Sequence, residues 1–235
     1  MKQLFYSSEI KNNKIYLYNQ EFIHCTKVLR KKIGDIIDVI DGNGGYYQCE
    51  IINISKEEVE ALINLSKFNK KNSFGLHIAI SPTKNSDRYE WFVEKSIEFG
   101  ISEITFLECD RTERNNIRVD RLENIALSAI KQSNQYFLPK INNLINYDKF
   151  LLSSNKNHIN IIPNLEDEFT KDICNYLKPR LDICALIGPE GDFTKREVGL
   201  AKEFGFDSVS LGENRLRTET AAIYCSSLFY YINNE

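Results

Sequence analysis

Two short stretches late in the chain have the residue types and spacing to do chemistry. The first is Leu186-Ile187-Gly188-Pro189-Glu190-Gly191, an apolar run that breaks into glycines, a proline and an acid. Glycine hinges let main chain approach a ligand closely, and proline stiffens the loop. The second is SLGENRLRTETAA, residues 210–222, where polar groups crowd between two apolar runs. Thr218 or Arg217 is placed to cap the helix that follows, and Glu219 suits its first turn. Capping does not account for the charge of Arg217, because a cation opposes the helix dipole there. An arginine in that place points to an anionic partner, a carboxylate or a phosphate.

The elements around these stretches predict an α/β domain. From residue 76 onward strand-like runs alternate with helical ones: LHIAI then DRYEWFVEKSIEFG, EITFLEC then RVDRLENIALSAIKQS, HINII then EDEFTKDICNYL, ICALI then TKREVGLAKEFG, SVSL then RTETAAIYCSSLFYYI. Such βα repetition is the pattern of a parallel sheet covered by helices, and ligands then sit beyond the strands' carboxyl ends. Val119, Leu122, Ile125, Ala126, Ala129 and Ile130 form one apolar face at helical spacing. Thr194-Lys195-Arg196-Glu197 reads as a capping box. The first 65 or so residues are β-rich instead, with a hairpin turn at Asp41-Gly42-Asn43-Gly44-Gly45. NQEFIHCTKVLRKK reads as a short helix ending in Lys27, Arg30, Lys31 and Lys32, and KFNKKNSFG as a linker. Domains are therefore expected at 1–70 and 75–235.

Bulk properties remove several classes. The chain has 235 residues, 42% hydrophobic and 27% charged, the balance of an ordinary globular protein. No apolar run approaches the roughly 20 residues that span a bilayer. The N-terminus lacks a signal-peptide core, so a cytoplasmic protein with no membrane partner is expected. Six cysteines without a CxxC pair and three separated histidines, His24, His77 and His158, give no metal-ligand spacing. The net charge is −3, yet residues 1–75 carry eleven basic against nine acidic groups and the rest nineteen against twenty-four. A basic strip for nucleic acid would thus be local. Dinucleotide (GxGxxG), phosphate-loop (GxxxxGK[ST]) and nucleophile-elbow (GxSxG) patterns are absent.

LIGPEGDFTKREVGLAKEFGF followed by SLGENRLRTETAA resembles the RsmE family of the SPOUT class. VLRKKIGDIIDVIDGNGG and PTKNSDRYEWFVEKSIEFGI extend the resemblance over the chain. It implies an α/β fold: a C-terminal SPOUT domain with a parallel sheet and trefoil knot, plus an N-terminal PUA-like β-barrel that binds RNA. It implies a homodimer that transfers methyl from S-adenosylmethionine, without a metal, to N3 of a uridine in the 16S rRNA of the small subunit. The alternatives are a SPOUT enzyme for another RNA and a non-catalytic RNA-binding relative.

The resemblance also distributes roles. Leu186, Ile187, Gly188, Pro189, Glu190, Gly191, Leu211, Gly212, Leu216, Arg217, Thr218, Thr220 and Ala221 would hold the donor. Arg217, Glu219 and Glu190 would be catalytic, with Arg217 stabilising an anionic uracil and Glu219 or Glu190 accepting its proton. Lys27, Arg30, Lys31, Lys84, Arg88, Arg111 and Gln132 would meet RNA. The chain departs from many relatives at Asp192, where they carry glycine, and at Lys131 and Gln135, where they carry glutamate and arginine.

Overall fold

A computed structural model of the chain describes residues 3–156, 158–164 and 171–234. Its contacts divide it into two units, residues 1–71 with 127–138, and residues 72–126 with 139–235.

The first unit is built on a sheet of six strands. In chain order these are β1 (Leu4–Tyr6), β2 (Ile10–Lys11), β3 (Lys14–Tyr18), β4 (Ile36–Ile40), β5 (Gly45–Ile54) and β6 (Glu58–Phe68), arranged β1-β4-β5-β6-β3-β2. Among the described residues only the β1–β4 pair is parallel. Alternation along β3, β5 and β6 sends Ile15, Leu17, Cys49, Ile51, Val59 and Ala61 into one core with Phe5 and Val39. The expected hairpin turn forms: Asp41 Oδ1 accepts from the Asn43 and Gly45 N–H groups at 2.7 and 2.9 Å. Gly42 and Gly44 take the left-handed φ values, +73° and +100°, that this turn needs.

The basic segment differs from a plain helix. α1 (Asn19–Ile23) runs into a π-helical turn, His24–Val28, and Arg30 follows at φ +53°. Residues 127–138 also belong to this unit. Lys131 pairs with Glu21, whose other oxygen accepts from Tyr6 N–H at 3.3 Å, and Gly44 N–H reaches Tyr136 O at 2.9 Å. The lysine that departs from the family pattern thus has a structural partner.

Among the described residues the second unit carries seven strands, all parallel. They are β7 (Leu76–Ile80), β8 (Glu103–Glu108), β9 (Lys140–Asn146), β10 (Ile159–Pro163), β11 (Lys171–Asp172), β12 (Ile183–Ile187) and β13 (Asp207–Ser210), in the order β11-β13-β10-β12-β7-β8-β9. The central strands are buried on both faces, as their unbroken apolar runs require; every residue of β12 is buried. Among the described residues this unit also carries helices α2 (Ser86–Glu98), α4 (Tyr147–Ser153), α5 (Lys195–Glu203) and α6 (Thr218–Asn233), and the first part of α3 (Val119–Ser133). The capping box on α5 forms in full, with Thr194 and Glu197 bonding reciprocally.

Three further expectations differ from the outcome. β9 and α4 occupy a stretch to which the βα pattern assigned no element. The helix expected over EDEFTKDICNYL is replaced, where described, by β11 and a single 3₁₀ turn at Ile173–Asn175; residues 165–170 lie outside the described residues. Thr218 does not cap α6: Arg217 occupies the N-cap without a side-chain bond, and Thr218 Oγ1 donates instead to Gly188 O at 3.0 Å.

Candidate functional site

Strand order brings the two suspect stretches together. β12 lies between β10 and β7, so the loop leaving β12 at Gly188 opens beside the carboxyl ends of both neighbours. β13 lies beyond β10, while α6 packs on α2, β7 and β12. The chain from β13 to α6 must therefore travel back past the same strand ends. Between the two loops is a cavity of about 360 Å³, the size of a small-molecule site. Its apolar wall is Pro163, Ile187, Leu211, Leu216 and Ala221, and its main-chain wall Gly188, Pro189 and Gly212. Glu190 and Asp192 bring negative charge, and Arg88, Arg215 and Arg217 positive charge.

The wall is stitched by side chain to main chain bonds. Lys84 N–H donates to Glu190 Oε1 at 3.0 Å, and Lys84 O accepts from Arg114 Nε and Nη2 at 3.2 and 2.7 Å. Arg111 Nη1 donates to Gly191 O at 2.5 Å, and Arg215 Nη2 to Glu190 O at 3.3 Å. Ser81 and Thr112 share a hydroxyl bond of 2.8 Å beneath these loops. Glu190 is therefore engaged as a strut on both its carboxylate and its carbonyl. Asp192 sits at φ +62°, a region aspartate tolerates better than most residues, with Oδ1 accepting from Phe193 N–H at 2.8 Å.

Behind the wall, Arg196 pairs with Asp110 at 2.9 Å and Asp148 at 3.1 Å, which holds the Asp110 carboxyl below the usual carboxylate range. Burial pushes the nearby Cys109 thiol well above its ordinary pKa, so it is an inert packing group.

The three cations differ in their tethers. Arg217 is exposed and, among the described residues, has no acid within ion-pair distance. Arg215 holds only the main chain of Glu190. Arg88 Nε stands 3.9 Å from Glu219 Oε1. Glu219 is 7% exposed, and its Oε2 has no hydrogen-bond partner among the described residues.

Ten of the thirteen residues expected to hold a donor line the cavity. Leu186 is wholly buried in β12, Gly191 spends its carbonyl on Arg111, and Thr220 faces outward, so these three lie outside the lining. Arg88, expected at RNA, lines the cavity itself. Sequence reasoning missed Pro163, Asn164 and Asp192, and did not single out Asn214 and Arg215 within the loop 211–221 expected at the donor. Asp192 adjoins the first singled-out stretch, Asn214 and Arg215 lie inside the second, and Pro163-Asn164 is a turn signal directly after a strand-like run.

The remaining RNA candidates fall in both units. Lys27 lies in the π-helical turn, Arg30 and Lys31 follow it, and Gln132 is exposed on α3. Lys31 Nζ reaches Ile36 O at 3.2 Å. Lys84 Nζ pairs with Glu113 at 2.9 Å in solvent, while Arg111 braces the wall. Among the described residues there is no cluster of metal-ligating side chains and no helix long and apolar enough to cross a membrane.

Comparison with known proteins gives concordant matches. Residues 70–230 match the model of an RNA methyltransferase domain, and residues 17–64 that of an RNA methyltransferase PUA domain. The ribosomal RNA small subunit methyltransferase E of Mesomycoplasma hyopneumoniae is 31% identical, covering 94% of this chain and 95% of its own. That of Buchnera aphidicola from Acyrthosiphon pisum is 29% identical, covering 94% and 89%. A Porphyromonas gingivalis protein assigned as an rRNA-methyltransferase superposes with a TM-score of 0.92 at 33% identity, over 99% of this chain and 98% of that one. A Legionella pneumophila protein assigned as a methyltransferase, solved with the cofactor SAM, superposes at 0.88 with 25% identity, over the same shares.

Proposed function

The chain belongs to the ribosomal RNA small subunit methyltransferase E family, and from that premise we propose that it methylates N3 of a uridine in 16S rRNA, using S-adenosylmethionine. The observation that carries this reading is the cavity between the loops leaving β12 and β13. It combines an apolar wall, approachable main chain and both signs of charge. Those features fit a donor with an aromatic base, a sugar, a cationic sulfur and an amino-acid tail. Ile187, Leu211, Leu216 and Ala221 would take the apolar parts, with the main chain of Gly188, Pro189 and Gly212 beside them. The acids Glu190 and Asp192 complement positive charge, and Arg215 a carboxylate.

When bound, the donor supplies an electrophilic methyl group on a positively charged sulfur. The protein's tasks are to align the acceptor and to handle the proton on uracil N3, which must leave before or as the methyl arrives. Arg217, at the N-cap of α6, is a candidate to stabilise the uracil anion, and Glu219 and Glu190 are candidates to receive the proton. The basic turn at Lys27, Arg30 and Lys31 would hold RNA phosphates, with Lys84, Arg88, Arg111 and Gln132 as further contacts. We read the return of the chain from β13 to α6 as the trefoil knot of the SPOUT class. We also read the protein as a cytoplasmic homodimer, supported by exposed Trp91 on α2 and Tyr224, Tyr230 and Tyr231 on α6.

The test is nucleoside analysis of small subunits from cells lacking the protein, before and after treatment with purified protein and donor. The expected product is 3-methyluridine. A different methylated nucleoside overturns the base assignment, and no methyl transfer overturns the reading.

A further inference from the structure

We infer that Arg88 is the cation at the reacting base, and that Glu219 is its positioning residue rather than the proton acceptor. The inference rests on the uridine reading above. Three arginines line the cavity, and a group that stabilises developing charge acts best when its position is fixed beforehand. Arg88 alone among them has a buried carboxylate beside it.

Two features of Glu219 argue against proton transfer. Its side chain is only 9% exposed in the first turn of α6, and it is absent from the cavity lining. A base must come within hydrogen-bond reach of the proton it takes. The same burial suits a counter-ion. A sequestered carboxylate oxygen without a partner is costly, and a guanidinium fork satisfies both oxygens of a carboxylate at once. Arg88 Nε is 3.9 Å from Oε1 and Oε2 is unpartnered, so the pair stands open. In that state the fork is held near the carboxylate and still faces the cavity.

A second observation comes from the other helix. Arg88 lies in the first turn of α2, whose N-cap Asn85 accepts from Asp87 N–H at 3.0 Å. A cation there opposes the dipole of α2, as Arg217 opposes that of α6. Two helix starts and two arginines thus meet one cavity, an arrangement that favours an anion. In the reaction the N3–H proton leaves to solvent and its electron pair stays on uracil, shared between N3, O2 and O4. That pair forms the N3–methyl bond while the sulfur–methyl bond breaks and its electrons return to sulfur. Arg88 would donate to the charged carbonyl oxygen throughout.

The experiment measures methyl transfer to purified small subunits across pH for wild type, Arg88→Gln, Arg88→Lys, Glu219→Gln and the Arg88→Gln/Glu219→Gln double variant. Calorimetry with S-adenosylmethionine runs in parallel, and thermal melts confirm folding. Wild-type turnover should climb with pH and level off. Arg88→Gln should lower kcat roughly a hundredfold and move the climb to higher pH. Glu219→Gln should lower kcat by about tenfold with the climb preserved, and Arg88→Lys should recover part of the loss. The double variant should be no slower than Arg88→Gln, and donor affinity should stay within about threefold in all.

A Glu219→Gln profile that loses its climb makes Glu219 the base and overturns the inference. So does a double variant far slower than Arg88→Gln, full turnover by Arg88→Gln, or loss of donor affinity that matches its loss of rate. If Glu219→Gln melts in the assay range, the Arg88 pair of variants decides alone through the pH shift and the lysine rescue. Wild-type protein that makes no 3-methyluridine overturns the uridine reading and this inference with it. Wild-type product with an unaffected Arg88→Gln overturns the inference only.

Discussion

Replacing Gly188 with alanine is expected to cost folding stability while leaving donor affinity nearly intact. A Cβ at Gly188 would lie 3.1 and 3.2 Å from Phe193 Cδ2 and Cε2, and 3.3 Å from Asp192 Oδ1. Its nearest neighbours are thus a core ring and the loop's own acid. Phe193 is 2% exposed and packs on Tyr147 with centroids 5.5 Å apart, in a cluster with Leu186, Phe206 and Ala201. For ordinary contact the ring must give by a few tenths of an ångström against a full core. Such overpacking costs about 1–3 kcal/mol. In a chain of this size each kcal/mol lowers the midpoint by roughly 2–4 °C.

Two other glycines calibrate the result. A Cβ at Gly191 meets Arg111 Cδ at 3.2 Å, on an exposed side chain whose guanidinium bonds Gly191 O, so Gly191→Ala should cost less than Gly188→Ala, under about 1 kcal/mol. Gly212 has open space around it but sits at φ +108°, where alanine is strained by about 1–2 kcal/mol whatever the room. Thermal and urea melts followed by Trp91, the single tryptophan and a residue of α2, report on the unit that holds all three. Donor calorimetry is done well below the melting range. If Gly188→Ala melts with wild type yet loses donor affinity tenfold, its Cβ faces the ligand and the packing argument fails.

Three further outcomes are expected. Arg30→Gln should weaken RNA binding and take about one unit from the slope of log affinity against log salt; Lys31→Gln should take less, because Lys31 Nζ already bonds Ile36 O, and filter binding over a salt series decides between them. Burial lowers the pKa of His77 from 6.5 to about 4, so the unfolded chain takes up its proton first: stability is complete above about pH 6.5 and roughly 3 kcal/mol should be lost as pH falls to about 4, a loss that urea melts should find missing in His77→Phe. Lys131→Glu should destabilise by about 3 kcal/mol by setting two acids together beside α1, and the Glu21→Lys/Lys131→Glu swap should regain most but not all of it in a double-mutant cycle, since Tyr6 N–H loses its acceptor.

Local pattern made much of this fold legible. The βα alternation, the Asp41–Gly45 turn, the α5 capping box and the buried face of α3 all rest on spacing within one element. What failed to show was set by distant partners. β9 is an edge strand rich in asparagine, with no fully buried residue, so neither propensity nor alternation marks it. Residues 127–138 join the first unit through Lys131–Glu21 and Tyr136–Gly44 contacts, for which no neighbouring residue gives a sign. Pro163 and Asn164 reach the cavity because β10 lies between β12 and β13, an order that the sequence hides.

Charge was the least readable property, and the reason is geometric. The acidic half of the chain holds the cavity and all three of its arginines, so a sum over residues 76–235 says nothing about the potential at one strand edge. Position relative to a helix start was a better guide. Arg217 stood out because a cation opposes the dipole of the helix it opens, and the same reasoning applied to DRYEWFVEKSIE would have singled out Arg88. Each arginine weakens its own helix slightly. Placed together at one cavity, they raise the local positive potential, which an anionic base can use. Glu219 then does what a solvent-exposed acid could not. Buried beneath the lip, it holds one arginine at the edge of the cavity without filling the place the base must take.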